Sequence, residues 1–161
     1  MAKKEAGKAF SLDDLDAVAH GAASFEFEYL DESGEGTGIW LSVFGGESEI
    51  VATETARLQN ERRRQAAARE VNSKIGVGKH KVEYVPYESD VEYGKRVASV
   101  RLAGWRGAGQ VDGLTAEQKT RFCGISAPFN AENALRLCQR NALMAAQITE
   151  QSEATGNFIK I

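Results

Sequence analysis

The amino-acid sequence predicts an α+β fold, in which an N-terminal β-hairpin packs against a mainly α-helical remainder. Two neighbouring segments between residues 24 and 44 show the two-residue alternation of strands, and later segments repeat apolar residues at helical spacing. With 161 residues, the chain is long enough to bury a core without disulfides or metal. We therefore expect a flexible tail, residues 1–10, followed by one domain, residues 11–161.

The first predicted strand has one aromatic face and one acidic face. The aromatic residues are Phe25, Phe27 and Tyr29, and the acidic residues are Glu26 and Glu28. This alternation is typical of a half-buried strand. The two glutamates are close enough in sequence for an acid/base pair, but a solvated strand face is the simpler interpretation.

Turn-forming residues at 31–36 separate this strand from a second one, at residues 37–44. On the second strand Ile39, Leu41 and Val43 share one face, and Trp40 and Phe44 lie on the other. Both faces therefore carry large apolar groups, which a lone hairpin cannot cover. Either other elements enclose the hairpin, or one face is left for another subunit or partner.

A long helix is predicted at residues 47–74, with acidic residues in its first turns and basic residues later. Its middle is polar almost all round, which is typical of a helix that projects or packs against another chain. Arg62, Arg63 and Arg64 lie among glutamates, which favours a solvated face over an acidic protein partner, and either over nucleic acid.

Two more helical regions are predicted beyond an irregular stretch at residues 76–86. Apolar spacing predicts a helix over residues 89–105, with one buried stripe that begins at Val91 and Gly94 and ends at Trp105. Asn130 has the position of an N-cap for a helix that Phe129 precedes. Around Asn141 the chain either bends or begins a further helix.

The residue types used in catalysis and metal binding are few and scattered. Cys123 and Cys138 lack the further ligands of a zinc site, and we interpret both as reduced structural residues. His20 and His80 lie in no motif for metal or nucleophilic chemistry. We predict no enzymatic activity, no metal and no cofactor.

Charge and hydropathy bear on the class of partner. The net charge of −3 gives no general attraction for nucleic acid. We find neither an apolar run of membrane-spanning length nor an apolar signal core behind the first lysines. We therefore expect neither a nucleic-acid nor a membrane partner, and a location in the cytoplasm of the cell that makes the protein.

The order of these features resembles the tail assembly chaperones of long-tailed bacteriophages. The resemblance extends from about residue 24 to residue 158 and rests on a succession of segments. They are the second strand at residues 38–44, the charged helix at 60–63, the Gly-Trp-Arg-Gly step at 104–107, the capped helix at 129–135 and the closing segment at 147–158.

The resemblance implies a non-enzymatic helper that covers the tape measure protein and recruits tail tube subunits. Such a helper acts in the host cytoplasm, is absent from the finished virion, and often exists also in a frameshifted longer form. Self-association is a further possibility. The alternatives are a structural tail or head-tail connector subunit, and, from another class, a small enzyme or a nucleic-acid-binding regulator.

A chaperone of this kind needs surface anchors, and aromatic residues dominate interface energetics. As a hypothesis, we assign partner contacts to Trp40, Phe44, Trp105 and Phe158, with Arg62 and Arg63 on the charged helix. The alternative for each aromatic residue is a place in the core.

Overall fold

The structure, a computed structural model, describes residues 11–75, 87–106 and 128–159, except for the side chains of residues 72–75. The predicted tail at residues 1–10 and the predicted irregular stretch at 76–86 lie outside these ranges. In chain order the elements are a 3-10 helix (Asp13–Leu15), α1 (Ala17–His20), β1 (Phe25–Leu30), β2 (Gly36–Val43), α2 (Glu49–Ile75), α3 (Asp90–Arg101), β3 (Leu102–Arg106), α4 (Ala131–Arg140), α5 (Ala142–Glu153) and a closing 3-10 helix (Thr155–Asn157).

The predicted hairpin is confirmed, and so is the α+β class. Strands β1 and β2 pair in antiparallel fashion, and β3 adds to β2, so that β2 is the centre of a three-stranded sheet. Gly34 in the hairpin turn and Gly38 within β2 have φ angles of 80° and 76°. Glycine adopts this left-handed conformation without steric cost, which explains its use at both positions.

The predicted helix at residues 89–105 is wrong beyond Arg101, where α3 ends and the strand β3 begins. The predicted stripe is also only partly buried. Ala98 and Leu102 are buried, but Val91 is 69% exposed and Gly94 is exposed. The first turns of α3 therefore leave their apolar side open in the chain as described.

A β-bulge explains why β3 resembled a helix in the sequence. Leu102 lies opposite Val43, and Trp105 lies opposite Leu41, because the pairing shifts by one residue at Ala103. In a regular strand, positions three apart point to opposite faces, but the extra residue brings both side chains to the core face. A spacing of three is also the spacing of a helix, so the pattern predicted the wrong element.

The core lies between the inner face of the sheet and the helices that follow it. Helix α5 contacts β1 and β2, and α3 packs against both α4 and α5. The aromatic face of β1 and the face of β2 that carries Ile39, Leu41 and Val43 both belong to this core. Its buried apolar residues are Phe27, Tyr29, Ile39, Leu41, Val43, Ala98, Leu102, Ala134, Cys138, Met144, Ala145, Ile148 and Phe158.

Two asparagines define the helices near the C-terminus. Asn130 caps α4, as predicted, and its side chain accepts a hydrogen bond from the Asn133 backbone N–H at 2.8 Å. Asn141 ends α4 and caps α5, accepting from the Met144 backbone N–H at 3.0 Å. Of the two alternatives at Asn141, a new helix is therefore the correct one.

Helix α2 is 27 residues long, close to the predicted bounds, and at 1.5 Å per residue it extends for about 40 Å. It packs against α3. Among its described side chains, only Val51 and Leu58 are buried apolar groups. The rest of α2 contributes little to the core, as its polar sequence predicted.

Candidate partner-binding surfaces

The outer face of the sheet is organised around Trp40. Arg106 on β3 lies over the indole ring, with its guanidinium carbon 4.9 Å from the ring centroid. The same guanidinium donates two hydrogen bonds to the Glu26 carboxylate, at 2.9 and 3.3 Å. One arginine thus joins side chains from all three strands, and Trp40 is half-buried beneath it.

The cover over Trp40 is weakly held. The Arg106 and Glu26 side chains are 46% and 43% exposed, and an ion pair with this much water contact contributes at most about 1 kcal/mol. A cation–π contact at an exposed site adds about 0.5–1 kcal/mol. An approaching aromatic or apolar group can therefore displace the arginine and reach the indole.

Glu28 does not share this environment with Glu26. Its carboxylate turns back over the hairpin and accepts a hydrogen bond from the Gly38 backbone N–H at 3.0 Å. A side chain at Gly36 would displace this carboxylate, because a Cβ there would overlap the Oε1 atom of Glu28. The two glutamates thus have separate structural partners.

Phe44, just beyond β2, is half-buried and firmly positioned. Its backbone N–H donates to the Arg101 carbonyl at 2.8 Å, and its carbonyl accepts from the Ser152 hydroxyl at 2.7 Å. The backbone is therefore fixed on both sides. The ring remains partly accessible beside the sheet.

The other two proposed aromatic anchors take part in packing. Phe158 is only 7% exposed, belongs to the core and meets Phe25 edge to face with centroids 6.2 Å apart. Trp105 is half-buried against the core and meets Phe129 edge to face at 4.9 Å. The structure thus places Phe158 in the core, the alternative that the sequence analysis gave for it, and places Trp105 partly buried against the core.

Arg62 is part of the contact between α2 and α3. It forms an ion pair with Asp90, and its guanidinium carbon lies 4.6 Å from the centroid of the Tyr93 ring. The hydrogen bond with Asp90 raises the pKa of the Arg62 guanidinium above its usual value. Arg63, by contrast, is exposed on another side of α2.

The side of α2 opposite to α3 forms a second surface. At 100° per residue, Val51, Leu58 and Arg62 lie on the side that meets α3, and a regularly spaced set lies about half a turn away. We call this set the outer stripe. Its members, all exposed, are Ala56, Asn60, Arg64, Ala67 and Val71.

Of the cysteines and histidines considered for chemistry, Cys138 and His20 lie within the described ranges. Cys138 is fully buried, and burial raises the pKa of its thiol to about 12, so it is neutral at physiological pH. The Nε2 atom of His20 lies 2.6 Å from the Asp13 carbonyl oxygen. Cys123 and His80 lie outside the described ranges. Within those ranges, no three His, Cys, Asp or Glu side chains converge as a metal site.

Arg106 is the surface residue that the sequence analysis missed. It was placed in the segment after the predicted helix, and only its pairing as a strand residue brings it opposite Trp40. No local motif contains this information, because the ion pair joins residues 80 positions apart.

Within residues 11–75, 87–106 and 128–159, no helix combines the length and the apolar composition that a membrane span requires. Comparisons of the chain with models of protein families, with curated proteins and with solved structures found no match.

Proposed function

We propose that this protein is a non-enzymatic tail assembly chaperone of a long-tailed bacteriophage, which binds the tape measure protein and recruits tail tube subunits. The sequence supports this proposal through the succession of hairpin, charged helix, Gly-Trp-Arg-Gly step and capped helix. The observation that carries it in the structure is the outer sheet face, where Arg106 and Glu26 loosely cover the indole of Trp40.

A chaperone for a long helical protein has to bind reversibly. Many modest contacts meet this need better than one deep pocket, since each can be exchanged for a contact within the assembled tail. Trp40 provides apolar contact area on a rigid strand, and its arginine cover keeps the ring from full exposure before binding. The exposed arginines of α2, including Arg63, supply electrostatic attraction to acidic segments.

The working partners in this proposal are the tape measure protein and the tail tube protein, and the site of action is the host cytoplasm. Co-expression tests the chaperone activity directly. The tape measure protein encoded with this chain should be mostly insoluble alone and soluble when co-expressed. Unchanged solubility, with no co-purification of the two proteins, would contradict the proposal.

A permanent subunit of the tail or of the head-tail connector would use similar surfaces. Mass spectrometry of purified particles distinguishes the two functions. The chaperone proposal predicts that the protein is present in infected cells and absent from particles. A fixed number of copies in each particle would favour the structural subunit.

A further inference from the structure

The outer face of the sheet contains a slot between two aromatic side chains. Trp40 and Phe44 are half-buried on the same face of the chain and four positions apart, which is about 13 Å along a strand. The pairing that joins β2 to β3 continues through Phe44, whose backbone N–H donates to the Arg101 carbonyl. Between the two rings Ser42 lies opposite Gly104 of β3, so the floor is formed by one small side chain and one glycine. We call this feature the outer slot.

Gly104 gives the outer slot its depth, and no contact of the described residues requires a glycine there. Its φ angle is not positive, unlike those of Gly34 and Gly38, so neither the backbone nor the neighbouring β-bulge at Ala103 selects glycine. A Cβ placed on Gly104 would meet no atom within 4 Å. Glycine weakens a strand, and in a strand interior it often marks a place where a ligand or another backbone approaches closely. The open space above Gly104 is therefore suited to a group from another molecule.

The end of this face nearest the hairpin turn is acidic. Its carboxylates are Glu28 on β1 and Asp31, Glu32 and Glu35 in the turn. None of the four forms an ion pair with a described residue. Arg106, the arginine that covers Trp40 on this face, is already paired with Glu26. The turn end therefore has a surplus of negative charge, which a basic partner complements.

We propose that the outer face binds an amphipathic helix of the partner, which places one large apolar side chain in the outer slot and basic residues beside the hairpin turn. The proposal rests on the tail assembly function and names the chemistry by which the tape measure protein is recognised. From Ser42 to Gly36 the strand extends for about 20 Å, and a helix covers that length in about 13 residues. In a helix that lies along β2, the basic residues are therefore about 13 residues away from the apolar one.

The slot and the acidic end contribute to binding in different ways. An apolar side chain in the slot contacts Trp40 and Phe44 and leaves water, which supplies affinity. It has to move Arg106 aside, and the exposed ion pair with Glu26 holds that arginine only weakly. The carboxylates of the turn attract the basic end of the helix and set its direction on the sheet. The exposed arginines of α2 remain available to acidic segments elsewhere on the partner.

The slot is tested with a synthetic helical peptide, whose binding to the full chain is measured by calorimetry. The peptide carries leucines along one face and two lysines about 13 residues from the leucine that enters the slot. Gly104→Val fills the slot without changing any charge and should weaken binding about tenfold or more. Gly94→Val is the matched control, since a Cβ at Gly94 also meets no atom within 4 Å, and it should bind like the wild type. Valine favours strands, so Gly104→Val should be at least as stable as the wild type in thermal unfolding.

The acidic end is tested with the same peptide and one charge reversal. Glu32→Lys, at an exposed position of the turn, should weaken binding several-fold at low salt and less at high salt. Glu132→Lys makes the same change on exposed α4 and should have no effect. A peptide with glutamates in place of the two lysines should bind the wild type more weakly than the lysine peptide.

Three results would overturn the proposal. They are a wild type that does not bind the lysine peptide, equal affinity of the wild type and Gly104→Val, and tighter binding of the glutamate peptide. Co-expression separates this proposal from the tail assembly function. If the wild type and Gly104→Val solubilise the tape measure protein equally, the function stands and the slot is not its site. If the peptide distinguishes the two variants but neither solubilises the tape measure protein, the slot binds a basic helix and the tail assembly function is wrong.

Discussion

The side-chain amide of Gln147 pairs with the backbone of Leu30 as a neighbouring strand would. Its Nε2 donates to the Leu30 carbonyl at 2.8 Å, and its Oε1 accepts from the Leu30 N–H at 3.0 Å. Leu30 ends β1, which is an edge strand of the sheet. One side chain of α5 thus satisfies edge groups that would otherwise be open to pairing with another chain.

Gln147→Ala should destabilise the protein by about 1–3 kcal/mol, because it removes both hydrogen bonds to Leu30 and loosens α5 from the sheet. Chemical denaturation measures the change in the free energy of unfolding. Gln139→Ala, on the exposed side of α4, is the matched control and should have little effect. Equal effects of the two substitutions would show that the edge contact contributes no stability.

The role of Phe158 in the core predicts a large loss on truncation. Phe158→Ala leaves a cavity beside Phe25 and should lower the free energy of unfolding by about 3–5 kcal/mol. Phe129 is 40% exposed, so Phe129→Ala should lower the free energy of unfolding by clearly less. Thermal and chemical unfolding check the order of the two effects. A stable Phe158→Ala variant that loses partner binding would instead make Phe158 an interface residue.

The sequence predicted the elements whose signals are local. The alternation in β1 and β2, the polar pattern of α2 and the cap at Asn130 depend on neighbouring residues, and each agrees with the structure. The third strand did not follow from such signals. The Ala103 bulge gives it the spacing of a helix, and its pairing with β2 joins residues that are about 60 positions apart.

The candidate surface was also predictable only where it depends on residues that are neighbours in the sequence. Strand alternation separates Trp40 from the face that carries Leu41, but it does not say which face points outward. The cover of Trp40 by Arg106 likewise depends on tertiary pairing that a single sequence does not reveal. Phe158 was included because aromatic residues dominate interface energetics. The contact of its ring with Phe25, which places it in the core, joins the two ends of the domain.

The Arg96–Glu88 pair should contribute more to stability than the exposed pairs of α2. Its nitrogen and oxygen are 2.7 Å apart, and the side chains are only 16% and 17% exposed. Glu88→Gln should destabilise the protein by about 2 kcal/mol. The loss is smaller than for a fully isolated buried charge, because Glu61 also approaches Arg96.

The control for this prediction is Glu54→Gln, which weakens the exposed pair with Arg57. It should change the free energy of unfolding by less than about 1 kcal/mol. Urea denaturation at low and high salt measures the free energy of unfolding of both variants. High salt should weaken only the exposed pair. Indistinguishable values for the two variants would refute the importance of burial.

The raised pKa of Cys138 predicts a loss of stability in alkali. The thiol stays protonated in the folded protein up to about pH 12, whereas in the unfolded chain it ionises near pH 8.5. Between these two pH values the unfolded state binds fewer protons than the folded state. The free energy of unfolding therefore falls by up to about 1.4 kcal/mol per pH unit because of this thiol. Below the pKa of the thiol in the unfolded chain, the thiol is protonated in both states and this loss of stability is absent.

Comparison with Cys138→Ala isolates this effect. The variant loses some packing at every pH, but its stability deficit should shrink as the pH rises from 8 toward 10, because it has no thiol to ionise. Chemical denaturation across this range supplies the measurement. A deficit that does not change with pH would show that the Cys138 thiol ionises equally in both states.

The account depends most on Trp40 as a contact for another polypeptide, and the affinity of the Trp40→Ala variant for the tape measure protein tests this directly. We predict a folded variant whose Kd is weakened about tenfold or more, since buried aromatic anchors carry much of an interface's energy. Tyr87→Ala, which removes the ring of a 73% exposed residue three positions before α3, should bind like the wild type. Wild-type affinity in the Trp40→Ala variant, or a loss of binding that occurs only together with unfolding, would contradict the account.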